Sequence, residues 1–376
     1  MFLEKEGKLI YSYDGETVCI EAWGKDALRV RATKNRSFTG RDWALEAKDA
    51  HAGEVEIFED PSAKGGAFAN MYEGTDTSYG KITNGKLHAV IDSGSVITFY
   101  HEDGRVLLKE HFRRLRDEES MPLNIMGREY SNGVGDNFRI VARFVARKGE
   151  KIFGMGQYQQ HELDLKGCML ELAQRNSQVS VPFYLSSIGY GFLWNNPGVG
   201  QVMFANNGTE WVTESGKEID YLVIAGDTPA EIEENYMTLT GKPPMMPEYG
   251  MGFWQCKLRY WNQEQLLSVA RKYKELGVPL DVIVVDFFHW TKQGEFKFDP
   301  KYWPDVPGMC RELKEMGIQV VVSVWPTVDI YSENFEEMKE KGYLVRTEHG
   351  VPLTMLCGGN EVFFDATNPD ARTYVW

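Results

Sequence analysis

The chain has 376 residues, of which 41 are Lys or Arg and 55 are Asp or Glu, so its formal net charge is −14. This length predicts two domains, and an acidic chain without clusters of basic residues is not expected to bind nucleic acid. Apolar residues make up 43% and charged residues 26% of the sequence, which excludes a disordered chain. No apolar stretch reaches the roughly 18–20 residues that cross a bilayer, so no membrane partner is expected.

Cysteine usage predicts a protein of the reducing cytoplasm. The number of cysteines is odd and none lie in a CxxC pair, so neither a disulfide framework nor a metal site is indicated. The first residues are charged from Glu4 onward and lack the apolar core of a signal peptide. We therefore expect no metal, no organic cofactor and a cytoplasmic location. The cysteines are Cys19, Cys168, Cys256, Cys310 and Cys357.

The first 240 or so residues predict β structure. Short runs carry apolar residues at alternate positions, which places one face of each strand on a core and the other in water. Gly, Asn and Asp turns separate the runs, and no helix intervenes, which is typical of an antiparallel sandwich. The predicted strands are 17–23, 27–32, 54–58, 87–92, 96–100, 138–144, 191–195 and 219–224.

A change of pattern marks the boundary between two domains. Thr228, Pro229 and Glu231 supply the cap, the first-turn proline and the capping-box glutamate of a helix that runs to about residue 239. Residues 241–247 then form a proline-rich linker, in which a helix and a central strand are both disfavoured. We therefore predict domains at 1–242 and 243–376.

After the linker the sequence alternates between strands and helices. Parallel βα units of this length fit either a doubly wound sheet or a (β/α)8 barrel. A dinucleotide-binding fold needs GxGxxG between a strand and a helix, but Gly250-Met251-Gly252 begins a strand and is followed by bulky Phe253. The barrel is therefore favoured, and a cofactor-dependent oxidoreductase is disfavoured. The predicted strands are 250–255, 282–285 and 318–324, and the predicted helices follow Asn262, begin near Pro307 and follow Ser332.

Functional groups of a barrel lie at the C-terminal ends of its strands. One predicted strand ends in Asp286, which a run of aromatic residues follows, and the next ends in Ser323 and Trp325. A carboxylate among aromatic rings suits a sugar, because it accepts hydrogen bonds from two hydroxyls while the rings cover apolar C–H faces. Alternatively, Asp286 caps a loop or a helix. His289 and Asp365 fit packing and turn roles better than catalysis.

Both halves of the chain resemble glycoside hydrolase family 31. In the N-terminal half the matching segments are GMGQ at 154–157, LDLKG at 163–167 and VPFY at 181–184. In the C-terminal half they are GFWQ at 252–255, PLDVIVVD at 279–286, FDP and WPD within 298–305, and FDATNPDA at 364–371. The resemblance implies a galactose-mutarotase-like β-sandwich followed by the first βα units of a (β/α)8 TIM barrel, truncated.

This resemblance also implies a retaining, exo-acting α-glycosidase. Asp286 matches the aspartate that binds hydroxyls of the terminal sugar, and Ser323 and Trp325 match positions that line the same subsite. Phe287 and Phe288 match neighbours that sort substrates. The DFFHW and SVWP stretches resemble α-xylosidases most, with an α-glucosidase as the alternative. Cys357 stands near a position where many α-glucosidases have tryptophan, which argues against the glucosidase type.

The resemblance places the catalytic carboxylates outside this sequence. Retention needs a nucleophile and an acid/base about 5–5.5 Å apart, and in this family both follow later barrel strands, so they are expected beyond Trp376. The chain alone is then expected to bind sugar weakly and to hydrolyse nothing. A different class of function, a non-catalytic carbohydrate-binding protein, stays open. The expected partner is a small-molecule carbohydrate, and a homo-oligomer is left open.

Overall fold

The computed structural model describes residues 1–46, 49–61, 76–111, 125–347, 350–354 and 360–376. It divides the chain into two units, Met1–Pro243 and Pro244–Trp376. In the described part of the first unit, every regular element other than one helix, α1 (Pro229–Thr240), is a strand. They are β1 (Phe2–Lys5), β2 (Lys8–Tyr13), β3 (Glu16–Trp23), β4 (Ala27–Thr33), β5 (Ala50–His51), β6 (Glu54–Phe58), β7 (Tyr79–Asn84), β8 (Leu87–Asp92), β9 (Ile97–His101), β10 (Val106–Lys109), β11 (Arg128–Asn132), β12 (Phe138–Phe144), β13 (Ile152–Gln157), β14 (Met169–Leu172), β15 (Val179–Ser186), β16 (Tyr190–Trp194), β17 (Gly200–Phe204), β18 (Thr209–Gly216) and β19 (Ile219–Ala225).

These strands form three antiparallel sheets. The largest has the order β1-β2-β3-β4-β19-β16-β15-β13, with β5 on β3, and two five-stranded sheets have the orders β10-β9-β8-β7-β6 and β11-β12-β18-β17-β14. One apolar cluster draws side chains from all three sheets, including Ile20, Phe99 and Trp211. Sheets that share one core in this way form a sandwich, so the predicted antiparallel β-sandwich is confirmed.

One strand departs from the predicted alternation. All seven residues of β19 are buried, whereas the sequence predicted that one face of segment 219–224 would meet water. Helix α1 explains the difference, since its Ile232 and Leu239 pack in one cluster with Leu222 and Ile224. The helix therefore covers the face of the sheet that the alternation rule assigned to solvent.

The Gly154-Met155-Gly156 stretch has a structural role. Both glycines have positive φ, and a Cβ at Gly156 would lie 2.3 Å from the carbonyl oxygen of Val179. The pairing of β13 with β15 shifts register between the two glycines, so the stretch is a β-bulge, while the Met155 side chain is fully buried. The backbone geometry of the bulge explains why glycine occupies positions 154 and 156, so no phosphate-binding loop is needed to account for them.

The second unit carries the parallel strands. A short 3-10 turn at Glu248–Met251 precedes them, and β20, β21 and β22 pair in parallel, whereas β23 and β24 form an antiparallel pair. The elements are β20 (Trp254–Gln255), α2 (Gln263–Glu275), β21 (Val282–Val285), α3 (Val306–Glu315), β22 (Gln319–Val322), β23 (Thr327–Asp329), α4 (Phe335–Glu340), β24 (Glu361–Phe363) and α5 (Pro369–Val375).

Helix caps follow the sequence closely at two of three predicted positions. The side chains of Thr228 and Asn262 accept hydrogen bonds from backbone N–H groups of the first turns of α1 and α2, as predicted. The prediction for Ser332 was wrong, because α4 begins after Asn334, whose own side chain forms no cap. Instead, the Asn334 side chain donates to the carbonyl oxygen of Gly294, which ties the helix start to another loop.

The predicted strand at 250–255 is mostly a turn. Only Trp254 and Gln255 form β20, because Glu248–Met251 closes into the 3-10 turn. The predicted run at 318–324 likewise shortens to Gln319–Val322, and its valines are half-buried rather than buried on both faces.

Helices α2 and α3 cover one face of the parallel sheet. Ile283 and Val285 of β21 pack in one cluster with Leu266 and Ala270 of α2 and with Leu313 of α3. Because side chains alternate along a strand, Val284 points to the opposite face, where it is half-buried. Within the described ranges, no helix is both long and apolar enough to cross a membrane.

Candidate functional site

The carboxyl ends of the three parallel strands bring together three polar residues. Cys256 follows β20, Asp286 follows β21 and Ser323 follows β22. The pairing continues past the last strand residues, because the backbone N–H of Ser323 donates to the carbonyl oxygen of Val285 at 2.9 Å. Parallel strands place their carboxyl ends at one edge, so the alternation of strands and helices positions Asp286 and Ser323 side by side there.

Among the described residues, Asp286 is a half-buried carboxylate without a cationic partner. Its Oδ1 accepts a hydrogen bond from the backbone N–H of Phe287 at 2.7 Å, and its Oδ2 lies 3.7 Å from Sγ of Cys256. In the part of the chain that the structure describes, no Lys or Arg nitrogen lies within 4 Å of this carboxylate, and it caps no helix. The geometry therefore shows neither a helix cap nor a salt bridge, and the bond from Phe287 is a local contact with the loop.

Cys256 acts on Asp286 as a weak donor. Burial, and secondly the negative charge of Asp286, raise the pKa of the Cys256 thiol. A raised pKa keeps the sulfur protonated at neutral pH, so its S–H can donate either to Asp286 or to the carbonyl oxygen of Lys257, 3.4 Å away. The thiol is thus a hydrogen-bond donor here and not a nucleophile.

Aromatic residues follow Asp286 in the chain, and their rings pack on one another and on Trp325. The ring of Phe287 stacks on Trp325 with centroids 5.7 Å apart and an interplanar angle of 26°. Trp290 meets Trp325 edge to face at 6.3 Å. Phe288 is 55% exposed and has φ of 61°, a backbone region that bulky residues rarely occupy. Such strain persists where surrounding structure imposes it, which is common at functional sites.

His289 has the packing role that the sequence predicted. It is buried, its Nδ1 lies 3.1 Å from the carbonyl oxygen of Asp286, and its ring packs against Phe298. Burial lowers its pKa, so the imidazole is neutral near pH 7. Its position fixes the chain that leaves β21 and so helps to orient Asp286.

A small cavity lies beside the rings but not beneath the carboxylate. Its volume is about 180 Å³, below the roughly 300–1,000 Å³ of typical ligand pockets. Of the predicted site residues only Trp325 lines it, whereas Asp286, Phe287, Phe288 and Ser323 do not. The lining residues are His289, Trp290, Gln293, Gly294, Phe296, Lys297, Phe298, Val322, Val324 and Trp325.

Two further residues singled out in the sequence do not contribute to this geometry as described. Cys357 lies outside the described residues. Asp365 accepts hydrogen bonds from the backbone N–H and the hydroxyl of Thr367, as its predicted turn role requires. Among the residues that the structure describes, no group of three His, Cys, Asp or Glu side chains could hold a metal ion.

Sequence reasoning missed the loop that follows β20. Arg259 lies with its guanidinium carbon 3.6 Å from the ring centroid of Trp261 and 5.1 Å from that of Phe288. The rule that drew attention to Asp286, position just after a parallel strand, applies equally to Cys256 and its loop. The predicted strand 250–255 ends at Gln255, as β20 does, so its position alone pointed to this loop.

Comparison with known proteins identifies the family of both units. A model described as the glycosyl hydrolases family 31 TIM-barrel domain matches residues 243–376, and one described as the glycosyl hydrolase 31 N-terminal galactose mutarotase-like domain matches residues 17–202. An uncharacterized family 31 glucosidase, ORF2 of Pseudescherichia vulneris, is 43% identical over 385 residues, which cover 100% of this chain and 69% of the relative. The chain belongs to glycosyl hydrolase family 31. The predicted mutarotase-like sandwich and TIM-barrel fold are therefore confirmed.

Two further family 31 proteins resemble the chain over nearly its whole length. Alpha-xylosidase A of Aspergillus niger is 30% identical over 96% of the chain and 49% of the relative. The crystal structure of a family 31 alpha-xylosidase from a soil metagenome, complexed with xylose, superposes with a TM-score of 0.89 at 47% identity and covers 100% of this chain and 54% of that one. The chain thus spans about half the length of these two relatives.

Proposed function

We propose that this chain supplies the terminal-sugar subsite of a retaining, exo-acting α-glycosidase that removes α-linked xylosyl residues. The observation that carries the proposal is the Asp286 carboxylate, which follows β21, has no cationic partner in the described part of the chain, and directly precedes Phe287, whose ring stacks on Trp325. Similarity to alpha-xylosidases from Aspergillus niger and from a soil metagenome supports the proposal that the terminal sugar is xylose.

Asp286 would bind the sugar and not attack it. Its Oδ1 accepts one backbone N–H and its Oδ2 is within reach of one weak S–H, which leaves lone pairs for two adjacent hydroxyls of a pyranose. Hydrogen bonds to an ionised acceptor are stronger than those to a neutral one. Because Asp286 has no ion pair among the described residues, it can bind sugar hydroxyls without first breaking one. The flanking rings would cover the C–H edge of the same sugar.

Bond cleavage would need two further carboxyl groups. In a retaining mechanism a carboxylate attacks the anomeric carbon while an acid protonates the leaving oxygen, and water then releases the sugar from the enzyme. We propose that both groups come from outside these 376 residues, and that Asp286 holds the ring in place for them. The relatives, which are up to about twice as long as this chain, have room for such groups.

The test is the hydrolysis of a panel of aryl α-glycosides by the product of the complete gene. The proposal expects α-xyloside turnover to exceed α-glucoside turnover by at least about tenfold, because one added group on a sugar is worth about 1–3 kcal/mol in a shaped pocket. A preference for the α-glucoside would instead support the alternative that the protein is an α-glucosidase, an activity named for another relative of the chain. No turnover of any α-glycoside, with sugar binding retained, would assign a non-catalytic carbohydrate-binding protein.

Phe287 is the residue to which we assign the choice between xylose and glucose. Xylose lacks the hydroxymethyl group of glucose, so a ring held at that edge would exclude glucose by overlap. Its stacking on Trp325 holds the Phe287 ring in one position. In Phe287→Ala, we expect the ratio of glucoside to xyloside kcat/KM to rise by about tenfold. Tyr302→Ala, which removes an exposed ring in the same unit, is the control; an unchanged ratio in Phe287→Ala excludes this role.

We also propose a cytoplasmic location. The four described cysteines, Cys19, Cys168, Cys256 and Cys310, are free, as thiols are in a reducing compartment. Cell fractionation checks this, and recovery of the protein outside the cell would contradict it.

A further inference from the structure

Arg259 is held between two aromatic rings at the rim of the candidate site. Its guanidinium carbon lies 3.6 Å from the Trp261 ring centroid and 5.1 Å from the Phe288 ring centroid. Both rings attract the cation through their π faces, so the side chain of a half-buried arginine is fixed in a rim loop. A planar guanidinium fixed in this way loses little further freedom when it binds a ligand.

The donors of this guanidinium have no acceptor among the residues that the structure describes. Across the described ranges, Arg259 forms no ion pair and donates no side-chain hydrogen bond, although a guanidinium carries five N–H donors. Arg271, in the same unit, shows the usual arrangement, because it bonds Glu312 twice and Glu264 once. The rings thus hold the Arg259 cation in place while its N–H edges stay available.

Two links along the chain connect Arg259 to the loop that carries Asp286. Phe288 comes two residues after Asp286, and its φ of 61° accompanies a ring that is 55% exposed at the rim. Cys256, which contacts Asp286, begins the loop that carries Arg259 and Trp261. Trp261 is 61% exposed, so its ring remains accessible to solvent beside the bound guanidinium.

We propose that Arg259 and Trp261 form the subsite for the leaving group, and that its occupant is a neutral pyranose. The Trp261 ring would cover an apolar face of that sugar, and the Arg259 fork would donate to two of its hydroxyls. This inference rests on the proposed function, because it takes Asp286 as the binder of the terminal sugar. It adds that the enzyme selects its leaving group, and that a sugar is preferred to a simple aryl group.

Two substrates with the same terminal sugar test the proposal on the product of the complete gene. One is an α-xylosyl-glucose disaccharide and the other is 4-nitrophenyl α-xyloside, which presents no leaving-group hydroxyls. Because charged hydrogen bonds are involved, Arg259→Ala is expected to lower kcat/KM for the disaccharide by about 10- to 100-fold and for the aryl xyloside by less than about threefold. Arg259→Lys should recover only part of the loss, since an ammonium lacks the planar fork.

Two further variants separate this role from a structural one. Arg271→Ala removes an exposed arginine of the same unit and should change neither substrate by more than about twofold. Trp261→Leu removes the ring and should again lower disaccharide turnover selectively. Equal losses for both substrates, or no loss in Arg259→Ala, would overturn the leaving-group subsite while the glycosidase stands. A wild-type protein inactive on every α-glycoside would instead remove the proposed function and this inference with it.

Discussion

A buried ion-pair cluster of the sandwich and the charged side chains near the strand ends of the barrel unit are arranged in opposite ways. In the sandwich, the fully buried Arg29 donates to both oxygens of Asp220, at 2.9 and 2.6 Å, and to Asp42 at 2.7 Å. In the barrel unit, Asp286 and Arg259 lie near aromatic rings, and neither has an oppositely charged partner among the described residues. The first arrangement pairs a buried cation with two carboxylates, whereas the second leaves an anion and a cation available to a ligand.

This difference separates the groups that maintain the fold from those that bind a ligand. A buried charge must be paired, because removing it from water costs several kcal/mol unless a partner compensates. A half-buried charge at a strand end bears a smaller cost, so it can stay unpaired until a ligand arrives. Charge removal should therefore reduce stability in the sandwich and activity in the barrel unit.

Asp286→Asn should give the largest effect on activity. The amide keeps the shape of the carboxylate but loses its charge, and two charge-assisted hydrogen bonds to sugar hydroxyls are worth about 3–6 kcal/mol. We expect kcat/KM for an aryl α-xyloside to fall by about 10²- to 10⁴-fold, measured on the product of the complete gene. The free energy of unfolding should change by less than about 0.5 kcal/mol, because no ion pair is lost.

Asp370→Asn is the matched control for this prediction. Asp370 is an exposed carboxylate in the first turn of α5, away from the strand ends. Its substitution should leave kcat/KM within about twofold of the wild type. The sugar-binding role of Asp286 would be contradicted if the Asp286→Asn enzyme were as active as this control, or if it lost stability instead of activity. Asp286 would then have a structural role.

Arg29→Met should give the largest effect on stability. It leaves the Asp220 carboxylate buried without its cation, and breaking a buried pair in this way costs about 3–5 kcal/mol. Urea unfolding followed by tryptophan fluorescence measures the change. Arg271→Met, which breaks exposed ion pairs, should cost no more than about 1 kcal/mol. Equal losses in the two variants would contradict the contrast between paired buried charges and surface charges.

Substitution of His289 should give the smallest effect on stability, and the effect should appear only as a change in how the free energy of unfolding depends on pH. Burial lowers its pKa in the folded protein below the value of about 6.5 in the unfolded chain. The unfolded chain therefore binds the proton more readily. The stability due to neutral His289 is fully present above about pH 6.5 and is lost as the pH falls through the folded pKa.

Urea midpoints at pH 7.5 and pH 5.5 measure this dependence. His289→Gln should reduce the difference between the two midpoints, since its amide does not titrate in that range. The same substitution at exposed His51 of the sandwich should leave the difference unchanged. An undiminished difference in His289→Gln would show that acid acts on the barrel unit through other groups.

Sequence patterns predicted the features that depend only on residues close to one another in the chain, such as helix caps and strand ends. Thr228 and Asn262 cap their helices because a cap needs only a side chain and the N–H groups two or three residues later. Asp286 was located because a strand, its end and the following residue are adjacent in sequence. The family resemblance extended this reading to the assignment of both folds.

Contacts between distant segments were not predictable in this way. The outer face of β19 is covered by α1, which an alternation rule for one strand does not foresee. Asn334 bonds Gly294, forty residues away, and this moves the start of α4 past Ser332. Arg259 stacks on Phe288, which belongs to another loop. Because the two residues come from different segments, no local sequence pattern predicts this contact.

The most direct measurement of the central claim is a crystal structure of the product of the complete gene with bound xylose. We predict two ring hydroxyls within about 2.5–3.0 Å of the Asp286 oxygens, which is the range of O–H···O hydrogen bonds. The Phe287 ring should lie at the sugar edge that carries the hydroxymethyl group in glucose. A xylose bound elsewhere, or an Asp286 side chain that faces away from it, would contradict the account.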